Sequence, residues 1–190
     1  IDDNETPLAP GVFTDVPAGH WASEAVTFVT GRGIFTGTSA TTFSPDMVMS
    51  RAMLATVLWR MEGQPAPGSA SPFTDVPAGQ WYTDAVVWAA GEGVVKGIGN
   101  DLFDPDGLVT REQMATMLYR YAGSPAVTGG ALTGYGDQAQ VSDFALQAME
   151  WAVSQGILTG KPGSLLDPQG GVTRAEVAVI LMRYIQGQEG

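Results

Sequence analysis

The nine cations of this 190-residue chain fall into three sets of three, and their placement decides what chemistry it can do. Arg51, Arg111 and Arg174 each follow a Ser or Thr that opens an apolar helical pattern, and Arg60, Arg120 and Arg183 stand in the last turns of the same patterns. The remaining three, Arg32, Lys96 and Lys161, lie within or beside a glycine-rich turn. A guanidinium offers paired N–H donors that match a carboxylate, so these sets could hold an acid group. Attraction of a cation to a helix C-terminus, about 0.3–1 kcal/mol, accounts for Arg60, Arg120 and Arg183. Arg51, Arg111 and Arg174 stand at the pole that repels them and need another reason. Two are open: each is held by an acid of the chain such as Asp15, Asp75 or Asp137, or each is kept for an anionic or hydroxyl-rich ligand, helped by helix-terminal amides and the glycine turn.

The aromatic residues carry a similar choice. Trp21 and Trp81 either open an apolar stripe and are core, or expose a flat ring to the C–H face of a sugar. Trp88 and Trp151 lie within the stripe and read as core. Asp15, Asp75 and Asp137 also suit turn caps. His20 has no counterpart in the other copies and reads as incidental.

Other chemistry is excluded or weakened. With no cysteine there is no disulfide, thiolate ligand or Cys nucleophile, and one histidine leaves no imidazole pair for a metal or relay. Twenty acids against nine bases give a net charge of -11, which repels a nucleic acid backbone. Residues 100–107 (NDLFDPDG) fail the EF-hand pattern at both ends and read as a turn. Carboxylates are plentiful enough for a glycosidase pair, but they recur in triplicate, which suits binding better than one active centre. The expectation is a non-enzyme without cofactor or metal. The longest apolar run, Val177 to Met182, is far below the ~20 residues that span a bilayer. A start at Ile1 without Met reads either as a processed protein, with a signal peptide removed, or as an excised fragment.

These residues are positioned by an internal repeat. Phe13-Thr14-Asp15-Val16-Pro17-Ala18-Gly19 returns as Phe73-Thr74-Asp75-Val76-Pro77-Ala78-Gly79 and degenerates to Tyr135-Gly136-Asp137. Trp21 matches Trp81 and Phe144; the turn Gly33 to Gly37 matches Gly93 to Gly97 and Gly156 to Gly160. Phe43-Ser44-Pro45 aligns with Phe103-Asp104-Pro105 and Leu166-Asp167-Pro168. Each copy has two helical stripes, one starting at Trp21, Trp81 or Phe144, and one starting at Ser50, Thr110 or Thr173. Thr110 with Gln113 and Thr173 with Glu176 fit the capping box, while Ser50 with Met53 keeps half of it.

The repeats are expected at 13–63, 73–122 and 135–186, joined by linkers at 64–72 and 123–134 and flanked by tails at 1–12 and 187–190. A unit of about fifty residues buries too little alone. The expected fold is therefore all-α, three tandem two-helix repeats packed as a pseudo-threefold bundle with loop prongs projecting outward.

The recurring Phe-x-Asp-Val start, Trp-Ala helix, Gly-x-x-x-Gly turn, Phe-x-Pro segment and Thr-Arg helix start resemble the S-layer homology domain family over residues 13 to 185. The resemblance implies a module that holds bacterial surface proteins on secondary cell wall polysaccharide, often pyruvylated and so anionic, bound in grooves between copies. It implies an extracellular, cell-surface location and S-layer protein neighbours. Carried over residue by residue, the groove residues are Arg51, Arg111 and Arg174; Asp15, Asp75 and Asp137; Trp21 and Trp81; and Gly33, Gly37, Gly93, Gly97, Gly156 and Gly160. The Thr-Arg-Ala-Glu motif is complete only at Thr173 to Glu176, where the same copy has Phe144 in place of Trp. No copy holds both the motif's glutamate and the indole, so unequal grooves are expected, the best of them containing Trp21 or Trp81. The alternative is a helical protein–protein interaction or self-assembly module.

Overall fold

The computed structural model describes residues 13–190; the expected tail at 1–12 lies outside the described residues. Among these residues the chain is helical, with six α-helices and no β-strand. The helices are α1 (Ser23–Gly31), α2 (Arg51–Met61), α3 (Thr83–Gly91), α4 (Arg111–Tyr121), α5 (Leu146–Ser154) and α6 (Arg174–Glu189). Two short 3-10 turns, Gln138–Gln140 and Asp143–Ala145, take up the irregular start of the third repeat.

Local sequence fixes where helices begin and end. Ser50 Oγ accepts the Met53 amide, and full capping boxes form at Thr110 with Gln113 and at Thr173 with Glu176. The first helix of each repeat stops at Gly33, Gly93 or Gly156, whose φ values of 69°, 73° and 67° lie in the left-handed region that glycine enters freely.

The repeats close into a ring. α2 packs on α3, α4 on α5 and α6 on α1, so the second helix of each repeat buries its stripe on the first helix of the next. One continuous apolar core results, containing Phe43, Phe103 and Leu166 at equivalent positions. Where α2, α4 and α6 begin, three backbone bonds form a closed triangle: Met49 N donates to Val172 O, Val172 N to Val109 O, and Val109 N to Met49 O, at 2.9, 3.1 and 2.9 Å. The same closure occupies the helix-terminal amides. Arg51 and Ala52 donate to Gly107 O and Pro105 O, Arg111 and Glu112 to Gly170 O and Pro168 O, and Arg174 and Ala175 to Met47 O and Pro45 O. The free helix-start amides expected to assist a ligand are therefore absent from these three helices, because the neighbouring repeat has taken them.

Other expectations are corrected by the same geometry. Trp21, Trp81 and Phe144 do not open the first stripe: the helices begin after them, and all three rings are exposed. Trp88 and Trp151 are buried in the core as expected. α6 continues to Glu189, where a tail was expected, and Glu189 pairs with Arg32 at 3.0 Å across the ring seam. Arg183 is thus inside a helix rather than at its end, and the dipole argument does not cover it. The stretches expected as linkers are tied down: Trp59 Nε1 donates to Pro65 O, Tyr119 OH to Pro125 O, and Leu132 is buried.

Candidate ligand-binding grooves

Each first-turn arginine crosses into the next repeat. Arg51 donates from Nε to Phe103 O (2.7 Å) and from Nη2 to Lys96 O (2.7 Å). Arg111 does the same to Leu166 O (2.8 Å) and Thr159 O (3.0 Å), and Arg174 to Phe43 O (2.8 Å) and Thr36 O (2.7 Å). Arg111 and Arg174 are only 3% and 6% exposed. The Arg51 and Arg174 guanidinium carbons lie 4.6 Å from the Phe103 and Phe43 ring centroids. Their position at the wrong pole is thus repaid by carbonyls, and not by the aspartates that sequence reasoning offered as partners. Burial lowers the Arg174 pKa to about 10, with the nearby Arg60 charge adding to the effect. Burial also draws Arg51 down, against the opposite pull of Asp104 and Asp75, and Arg120 contributes a lowering of its own.

The aspartates hold the same loops from the other side. Asp15 accepts the Phe43 and Ser44 amides, Asp75 those of Phe103 and Asp104, and Asp137 those of Leu166 and Asp167, all between 2.7 and 2.9 Å. Ser44, Asp104 and Asp167 have φ values of 56°, 59° and 50°, a costly conformation that these bonds stabilise. Burial raises the Asp75 and Asp137 carboxyls, but the amide donors, with Arg51 and Arg111 nearby, outweigh it and leave both below the ordinary carboxylate range.

Gly37, Gly97 and Gly160 sit where a side chain cannot go. A Cβ on Gly37 would lie 2.5 Å from Ser39 O and 2.6 Å from Phe13 Cε1; on Gly97, 2.7 Å from Leu102 O and 2.8 Å from Phe73 Cε1. On Gly160 it would enter the Tyr135 ring.

Of the expected site residues, Trp21, Arg111 and Gly160 meet in a cleft of about 400 Å3 between repeats, which Asp15, Asp75 and Asp137 do not line. Trp21 comes from the first repeat, Arg111 from the second, and Leu158 to Pro162 with Glu176, Val179, Ile180 and Arg183 from the third. Trp21 is 63% exposed. Glu176 Oε1 receives Arg111 Nη1 at 3.3 Å, and Lys161 pairs with Asp167. No single copy holds both the indole and the glutamate of the Thr-Arg-Ala-Glu motif, yet this groove holds both, because it draws on all three copies. An incomplete copy therefore does not make an incomplete groove, since neighbouring copies supply the missing group.

A second cleft, of about 350 Å3, contains Thr116, Tyr119, Arg120, Phe144, Leu146 and Gln147. Arg120 and Phe144 hold there the repeat positions of Arg183 and Trp21, but Asp143 also lines this cleft, and Arg51, the turn from Gly93 to Gly97 and Gln113 do not. The third position would pair Trp81 with Arg174 and Arg60, whose charges lie close enough to interact. Sequence reasoning missed Arg183 and Arg120 as groove residues, having assigned them to the helix dipole. Their spacing from Glu176 and Gln113 by seven residues, two helical turns, was the available signal.

The S-layer homology domain family matches the chain at residues 12–53, 72–115 and 134–178. The chain is 30% identical over 172 residues to an S-layer protein of Bacillus thuringiensis subsp. finitimus, an alignment covering 90% of the chain and 21% of the relative. It is 28% identical to an amylopullulanase of Thermoanaerobacterium thermosulfurigenes over 92% of the chain and 9% of that enzyme. With the exoglucanase XynX of Acetivibrio thermocellus it shares 27% identity over 92% of the chain and 16% of the enzyme. The chain thus spans at most 21% of these relatives. The shared domain is a non-catalytic module of S-layer proteins and surface enzymes, a distribution consistent with anchoring at the bacterial cell surface. With three matched segments covering most of its length, the chain belongs to the S-layer homology domain family.

Proposed function

We propose that the chain anchors a surface protein to the bacterial envelope by binding anionic, pyruvylated secondary cell wall polysaccharide in the grooves between its repeats. The observation that carries this reading is the cleft in which an exposed indole, Arg111, Arg183 and Lys161 meet from three repeats. A flat aromatic face suits a sugar ring and a guanidinium suits its acid group. Arg51, Arg111 and Arg174, with Asp15, Asp75 and Asp137, shape the three grooves; Trp21 and Trp81 supply ring faces. Gly37, Gly97 and Gly160 keep the turns close to the loops, while Gly33, Gly93 and Gly156 turn the chain into the groove wall. The acidic remainder of the surface repels the polymer only over about 8 Å at physiological salt. Weak grooves reinforce one another along a repeating glycan, since the first contact raises the local concentration for the second. Neighbouring S-layer proteins complete the setting.

The test is co-sedimentation with purified bacterial cell walls before and after removal of their secondary polymer. Retention on intact walls and release from stripped walls is expected. Equal retention on both would move the partner from the polymer to another wall component.

A further inference from the structure

The groove around Trp21 contains three cations, and they are not equivalent. Arg111 has every nitrogen committed: Nε to Leu166 O, Nη2 to Thr159 O and Nη1 to Glu176 Oε1. Its side chain is 4% exposed, so its charge is enclosed by the floor of the cleft. Arg183 is half-buried on α6, and its contacts within the chain are long, from Nη1 to Ile157 O and to Thr159 Oγ1 at 3.4 Å each. It lies on the same face of α6 as Glu176 and Ile180, which brings it into the cleft with the indole. The Glu176 carboxylate is already shared between Arg111 and the Thr173 amide, so it opposes an entering anion weakly. Lys161 is part exposed at the rim and shares its charge with Asp167.

We propose that Arg183, with Lys161 beside it, is the group that binds the acid function of the ligand in this groove, and that Arg111 is a positioning residue holding the turn and loop that form its floor. The proposal rests on the reading of the groove as a site for an acidic sugar and names the residue that selects the acid. A guanidinium held by two long hydrogen bonds exchanges them for a bidentate carboxylate at little cost, whereas Arg111 would have to release two loop carbonyls and a carboxylate. Arg120 has the equivalent repeat position beside Phe144, but its cleft also contains Asp143 and no second cation, so the acid site is assigned to the Trp21 groove.

The experiment titrates galacturonic acid, with galactose as the neutral control, and in a parallel arm isolated wall polysaccharide. The Trp21 indole N–H is followed by NMR, and thermal midpoints are measured on each variant. Arg183→Gln is expected to lose about tenfold in affinity for galacturonic acid, with galactose and the thermal midpoint unchanged. Lys161→Gln loses less, and Arg111→Lys lowers the thermal midpoint while keeping the preference for the acid over the neutral sugar. The proposal is overturned if Arg183→Gln keeps the wild-type preference, if folded Arg111→Lys loses it, or if the wild type shows no preference. Failure of the polysaccharide arm alone, with acid selection intact, would instead overturn the proposed wall polymer.

Discussion

Arg51 and Asp75 hold the two ends of one residue: Arg51 Nε donates to the Phe103 carbonyl at 2.7 Å, and the Phe103 amide donates to Asp75 at 2.8 Å. The aspartate belongs to the loop's own repeat and the arginine to the preceding one. Arg111 and Asp137 clamp Leu166 in the same way, and Arg174 and Asp15 clamp Phe43, so the ring is closed by three matching clamps.

The clamps differ in burial and therefore in worth. Arg174→Ala leaves two loop carbonyls without donors at a buried site and is expected to cost about 3 kcal/mol. At this chain length that lowers the thermal midpoint by roughly 6–12 °C. Arg51, being less buried, should cost about half as much on substitution by Ala. Calorimetry on both variants checks the order.

Glycines of similar appearance have opposite roles. Gly160→Ala drives a Cβ into the Tyr135 ring and should destabilise by about 1–3 kcal/mol. Gly91→Ala, at the end of α3 where a Cβ meets nothing, should stabilise by up to about 1 kcal/mol. Urea unfolding of the two variants tests the contrast.

Acid should weaken the clamps. The carboxyls of Asp75 and Asp137 titrate lower in the folded chain than in the unfolded one, so the unfolded state binds more protons as pH falls. Their stabilisation is fully present above the ordinary Asp value of about 3.9 and is lost as pH drops through the depressed folded values. The urea midpoint should fall as pH is lowered below about 4, and Asp75→Asn with Asp137→Asn should flatten that slope.

The exposed rings should affect binding and leave folding alone. Trp21→Ala is expected to weaken polysaccharide binding about tenfold with an unchanged thermal midpoint. Phe144→Trp should strengthen binding at the Arg120 cleft, and calorimetric titration of both variants measures the change.

Much of this architecture was legible in the sequence. The triplicate period, the capping pairs Thr110 with Gln113 and Thr173 with Glu176, and the buried Trp88 and Trp151 all follow from local pattern. The anomaly of Arg51, Arg111 and Arg174 was visible too, since a cation at a helix start contradicts the dipole. Its resolution was not, because the carbonyls that explain it lie 52, 55 and 131 residues away, in the adjoining repeat. The same limit hid the groove. Compared copy by copy the residue sets are incomplete, while the folded ring joins Trp21, Arg111 and Glu176 from three different copies. Period alone places Trp21 and Trp81 on the first stripe, because it does not reveal that each helix starts two residues later.

If one composite groove receives an acidic glycan, the indole N–H signals of the five tryptophans report on it directly. On titration with wall polysaccharide, Trp21 should shift most, Trp81 less, and the core residues Trp88 and Trp151 should stay fixed. A saturating shift confined to Trp81, or polymer binding that moves no exposed indole, would contradict it.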